Sequence, residues 1–148
     1  MSHAASISPA ATTCDVLIVG GGPAGLSLAT ALAQAGLQAT VLEQQGAAVL
    51  ANPPPDGREI ALTPPSVATL KRLGNHALRR TAWAVADHTP GERLLCGTQV
   101  TRVAVTPTHA ELDCIEAATP GAAPQRLQAP LLVAADSVFA SYVTAALR

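Results

Sequence analysis

Apolar residues fall into two kinds of pattern along this chain, and the first organises the rest. Val16, Leu17, Ile18 and Val19 follow one another without a polar break, the pattern of a strand buried on both faces of a parallel sheet. Glycines end the run, with Gly20, Gly22 and Gly25 fitting G-x-G-x-x-G. Leu26, Leu28, Ala29, Leu32 and Ala33 then recur at helical spacing until Gly36 supplies a stop. Residues 38–43 return to strand character, which predicts a strand, a turn, a helix and a second strand in that order.

The second kind of pattern is shorter and more broken. Residues 44–56 hold Gly46, Asn52 and three consecutive prolines, Pro53 to Pro55, and predict a loop. Asp56, Gly57 and Arg58 form a turn. Thr63 is placed to cap a helix with Pro64 at its first position, Val67, Leu70 and Leu73 on one face, and Gly74 at its end. Residues 75–97 give no clear period. Alternation through Val103 and Val105, and again through Ala110, Leu112 and Cys114, predicts an antiparallel hairpin. After a loop over residues 116–125, residues 126–134 read as one strand with a buried run at Leu131, Leu132 and Val133. Asp136 or Ser137 then caps a last helix in which Val138, Tyr142 and Ala146 share a face. The fold class is therefore α/β: a Rossmann-like βαβ fold with a central parallel sheet and a small antiparallel β-meander. Residues 1–13 are expected to form a disordered tail and residues 14–148 a single domain.

Composition narrows the partners. Lys and Arg number 9 against 10 Asp and Glu, and aromatic residues are 2% of the chain, so neither a nucleic acid nor an anionic membrane surface is expected as a partner. No charged residue occurs between Val16 and Leu42, which is long enough for a membrane span. The glycine cluster with Pro23 argues instead for a buried strand, turn and helix. The first 14 residues lack a basic start followed by an apolar core, and are not a secretory signal. Cys14, Cys96 and Cys114 show no C-x-x-C spacing, which fits small buried thiols in a reducing cytoplasm. His3, His76, His88 and His109 have no metal-ligand spacing, so no metal site is expected.

The glycine turn carries the candidate chemistry. Gly20 lets the chain leave the strand sharply, Gly22 keeps a side chain away from a pyrophosphate, and Gly25 allows close packing of helix on sheet. Pro23 and Ala24 complete the phosphate-binding turn at the helix start, where unpaired N–H groups and the helix dipole favour an anion. Glu43 ends the second strand at the position of an acid that accepts hydrogen bonds from an adenosine ribose, and it disfavours a 2′-phosphate there. Arg58 follows a flexible loop and could reach a phosphate or flavin, although a surface arginine is the simpler reading. Asp136 lies at the carboxyl end of a parallel strand, where open α/β sheets hold their ligands. These residues do not separate FAD from NAD.

Three blocks, DVLIVGGGPAGLSLATALAQAGLQATVLEQ, DGREIALTPPSVATLKRLG and LLVAADSVFASYV, together resemble the flavin-dependent aromatic hydroxylases. The likeness is greatest to the ubiquinone-biosynthesis branch related to para-hydroxybenzoate hydroxylase. The resemblance implies an FAD-binding domain with Gly20, Gly22, Gly25 and Glu43 on the adenosine half of FAD. Arg58 would lie against the cofactor, and Asp136 would belong to a motif linked to flavin and reduced pyridine nucleotide. It also implies reduction of FAD by NADPH or another electron donor, reaction with oxygen, and transfer of a hydroxyl group to an aromatic small-molecule substrate. Ala140 and Val143 stand where the family's third block has serine and arginine, and the chain has no Gly-Asp dipeptide. The chain is accordingly expected to be a shortened, catalytically incomplete member, lacking the substrate domain and the later flavin motif. The alternatives are a non-catalytic nucleotide-binding remnant or interaction module, and an NAD-binding dehydrogenase fragment.

Overall fold

A computed structural model of the chain describes residues 11–52, 61–74 and 90–136. The first unit forms as its pattern requires: β2 (Val16–Val19), α1 (Pro23–Gln34) and β3 (Ala39–Glu43) follow one another, with β2 and β3 parallel. Preceding them is β1 (Thr12–Thr13). The described residues continue with α2 (Ala47–Ala51), α3 (Pro64–Arg72), β4 (Glu92–Cys96), β5 (Thr98–Val105), β6 (Ala110–Glu116), β7 (Gln125–Ala129) and β8 (Leu131–Ala134).

The described strands make two sheets of four. One is all parallel in the order β4-β3-β2-β8. The other runs β1-β7-β6-β5, antiparallel through β5, β6 and β7 with β1 parallel to β7. The unbroken apolar run of β2 now has its explanation. Val16 and Ile18 face α1 and pack with Leu26, Ala29, Ala39 and Val41. Leu17 and Val19 face the second sheet and pack with Leu42, Leu112, Cys114, Leu127 and Ala129. The parallel sheet is thus covered by α1 on one face and by the meander on the other. Leu17, Ile18, Leu112 and Leu127 are fully buried, each side chain stabilising the fold by about 1.5–3 kcal/mol relative to exposure.

Single residues carry the chain from one sheet to the other. Gly97, at φ 66°, links β4 of the parallel sheet to β5 of the meander. Pro130 links β7 back to β8, and having no N–H it cannot continue the β7 ladder.

Several expectations need correction. Thr12 and Thr13 are not tail but strand, paired with Leu127 and Gln128. The loop over residues 44–56 contains α2, whose Leu50 is buried against the body. Residues 126–134 are two strands in two sheets, and Leu131, expected in a buried run, is 53% exposed at the start of β8. Strand β4 lies inside the stretch that showed no period. Cys114 is buried, whereas Cys14 and Cys96 are half-buried. Arg58, with Asp56 and Gly57, and the last helix fall outside the described residues. Among the described residues no helix is long and apolar enough to cross a membrane.

Candidate functional site

The carboxyl ends of β2, β3 and β8 open on one cleft of about 320 Å³, lined by Gly20, Gly21, Gly22, Pro23, Leu26, Glu43, Gln45, Leu50, Ala135 and Asp136. The turn from β2 into α1 shapes its floor. Gly20 has φ 113°, its N–H donates to Leu42 O at 2.9 Å, and a Cβ there would stand 2.9 Å from the backbone of Ala135 and Asp136. That close approach is where β8 leaves the sheet, with Ala135 N–H donating to Val19 O at 2.8 Å. Gly25 is tighter still, since a Cβ would overlap the Gly20 carbonyl oxygen. A residue with any side chain would push α1 off the strand end.

Gly22 is the opposite case. A Cβ built on it meets nothing within 4 Å, and its φ of −73° is open to any residue. The space above Gly22 therefore belongs to the cleft. No side chain caps α1, Pro23 occupies the first turn, and that turn carries no acid. The first N–H groups of a helix have no intrahelical acceptor, and α1 starts at the cleft with Gly22 and Pro23 on the lining, so the positive end of the helix dipole borders it. Among the described residues the lining contains no Lys or Arg, so the attraction that these residues offer an anion comes from backbone.

Glu43 ends β3 beside this turn. Its Oε2 accepts the Gly21 N–H at 2.7 Å and its Oε1 accepts the Gln45 N–H at 2.7 Å. A carboxylate offers about four lone-pair sites, so each oxygen keeps one for a ligand. The amides of Gly20 and Gly21 are committed to Leu42 O and Glu43 Oε2, so neither is open to a ligand. The structure brings Gly20, Gly22, Pro23, Glu43 and Asp136 to the cleft, whereas Gly25 is buried against the Gly20 carbonyl and Ala24 is exposed on the first turn of α1, neither on the lining. Arg58 is not among the described residues. The sequence reading missed Gly21, Gln45, Leu50 and Ala135. Gly21 occupies a variable position of the fingerprint, and only the third consecutive glycine hinted at it. Leu50 reaches the cleft through α2, which the proline run masked.

A parallel sheet with a glycine turn, a bare helix N-terminus and an acid ending the adjacent strand defines a dinucleotide-binding α/β domain. The chain belongs to the FAD binding domain family, whose model matches residues 13–140. Over 60 residues it is 57% identical to ubiquinone hydroxylase UbiM of Neisseria meningitidis, a match covering 40% of this chain and 13% of that protein. Among solved structures it resembles RebC soaked with chromopyrrolic acid and holding 7-carboxy-K252c, with a TM-score of 0.72 and 19% identity over 92% of this chain and 34% of that one. It also resembles p-nitrophenol 4-monooxygenase PnpA of Pseudomonas putida, with a TM-score of 0.67 and 20% identity over 84% of this chain and 41% of that one. The chain thus matches about an eighth of the length of its curated relative and about a third of RebC. The cradle fits the diphosphate of FAD, being open only at Gly22 and closed by neighbouring atoms at Gly20, Gly21 and Gly25.

Proposed function

We propose that this domain holds the adenosine diphosphate half of FAD for an aromatic-ring monooxygenase of the ubiquinone-hydroxylase type. The observation that carries the reading is the contrast between open Gly22 and its closed neighbours at the start of α1, with the Glu43 carboxylate beside them. In this arrangement the amides from Gly22 to Gly25 hold the diphosphate, Pro23 sets the first turn, and Glu43 accepts from the ribose hydroxyls. Asp136, on the lining next to Gly20, borders the far side of the diphosphate, and Arg58 is proposed to lie against the cofactor from the segment before α3. Bound FAD would supply oxygen activation and transfer of a hydroxyl group to an electron-rich ring, with NADPH or another donor reducing it. The protein positions the cofactor and shields it. The three cysteines, none joined in a disulfide among the described residues, support a reducing compartment, and we assign the protein to the cytoplasm.

The test is Gly22→Val. Its side chain has room in the protein but occupies the diphosphate approach, so the variant keeps its fold and melting temperature. FAD affinity, followed by quenching of flavin fluorescence, drops more than about tenfold, or 1.4 kcal/mol. Undiminished FAD binding by the folded variant overturns the reading.

A further inference from the structure

We propose that Gly21 is a positioning residue that sets the domain's preference for a ribose over a deoxyribose, acting through Glu43. The inference rests on the proposed contact between Glu43 and the cofactor's ribose. Gly21 fills a position that the glycine fingerprint leaves variable, and its φ is not positive, so its backbone does not require glycine. What requires it is the Glu43 side chain. A Cβ on Gly21 would stand 2.9 Å from Glu43 Cβ and 3.0 Å from both Cγ and Oε2, so the acid lies flat on the bare Gly21 backbone. In that position Oε2 accepts the Gly21 N–H at 2.7 Å.

The other oxygen is held from the opposite side. Oε1 accepts the Gln45 N–H at 2.7 Å, and the Gln45 carbonyl in turn accepts the Gly97 N–H at 3.0 Å, at the turn where the chain crosses into the meander. One backbone donor on each oxygen fixes both the place and the plane of the carboxylate. The lone pairs left over, one on each oxygen of a single carboxylate, offer two neighbouring acceptors to two adjacent hydroxyl donors, as a 2′,3′-diol presents. A methyl group on Gly21 displaces the acid and breaks this match, while the open turn at Gly22 proposed to receive the diphosphate stays in place.

The experiment compares ADP with 2′-deoxy-ADP by calorimetric titration of the full chain. Wild type is expected to bind ADP about tenfold more tightly than the deoxy analogue. In Gly21→Ala the ratio falls to about one, with 2′-deoxy-ADP binding close to its wild-type strength. A wild type that does not distinguish the two ligands removes Glu43 from the ribose and overturns both readings. A wild type that discriminates beside a Gly21→Ala variant that still does so overturns only the role of Gly21. Should Gly21→Ala fail to fold, Glu43→Gly provides a background in which the added methyl has room. There, adding Gly21→Ala leaves ADP affinity within about twofold if Gly21 acts through Glu43. A further tenfold fall shows that it acts on the diphosphate directly, and sinks the proposal.

Discussion

Glu43 and Glu92 stand on neighbouring strands at opposite ends of one parallel sheet, and each lies beside a glycine turn. Glu43 ends β3 and accepts two backbone N–H groups at 2.7 Å. Glu92 begins β4, against α1, and its only described partner is the Thr30 hydroxyl at 3.4 Å, whose single proton is already engaged with Leu26 O at 2.9 Å. Its Oε1 is buried without a hydrogen-bond partner among the described residues. The same side chain is therefore served by donors at one end of the sheet and starved of them at the other. The difference follows from chain direction. At the carboxyl ends of parallel strands the chain turns into a helix N-terminus, which presents N–H groups. At the amino ends single amides serve as donors, as the Gln38 N–H does for the Asp15 carboxylate at 2.7 Å, and among the described residues none reaches Glu92. A ligand carrying negative charge is favoured at the first end, where the start of α1 adds its dipole to the donors.

The largest predicted effect breaks the donor-rich end outright. Gly25→Val places side-chain atoms where the Gly20 carbonyl sits, so α1 cannot dock on β2 and Leu26 and Ala29 lose their contacts with Val16 and Ile18. The cost is about 3 kcal/mol or more, visible as a lowered midpoint in urea unfolding. A variant as stable as wild type would show that the close approach of α1 to β2 does not matter. Next in size is the paired test of the two acids. Glu43→Ala weakens FAD binding by about 1–3 kcal/mol, the range for a hydrogen bond to a charged group, whereas Glu92→Ala leaves the dissociation constant unchanged. Equal losses from the two variants would erase the distinction between the ends.

Much of the donor-rich end could be read from residue order. The unbroken run Val16 to Val19, the spaced glycines and the acid at Glu43 each have a local cause, and β2, α1 and β3 form where their patterns placed them. The contacts across the sheet had no such signal. Gly21 looks like any residue between fingerprint glycines until Glu43, 22 positions away, is folded onto it. Strand β4 was hidden because among the described residues it pairs only with β3, at the sheet edge, where its Glu-Arg-Leu-Leu-Cys sequence need not alternate cleanly. The sheet change at Pro130 escaped for a similar reason. Leu127 and Leu132 both pack into the core between the sheets, so their apolar pattern runs on across the break. Helix α2 holds only five residues and was overshadowed by the prolines that follow it.

The smallest effect concerns the donor-poor end and depends on pH. Burial pushes the Glu92 carboxyl up from 4.5 to about 7, with the Thr30 contact opposing it only weakly. In the unfolded chain this acid releases its proton near pH 4.5, whereas the folded protein keeps it until about pH 7. Between those values the native state binds the extra proton, so stability falls as pH rises through the window and levels off above it. Glu92 is only half-buried, and after allowance for solvent screening the loss is about 1 kcal/mol. Glu92→Gln keeps the shape and removes the titration. At pH 8 it is more stable than wild type by that amount, about 2–4 °C in melting temperature for a domain of this size, and the advantage disappears below about pH 4.5, the unfolded value. A constant difference between the two proteins from pH 4 to pH 8 would mean that Glu92 is as well solvated when folded as when unfolded, and the contrast with Glu43 would then lie in hydrogen bonding alone.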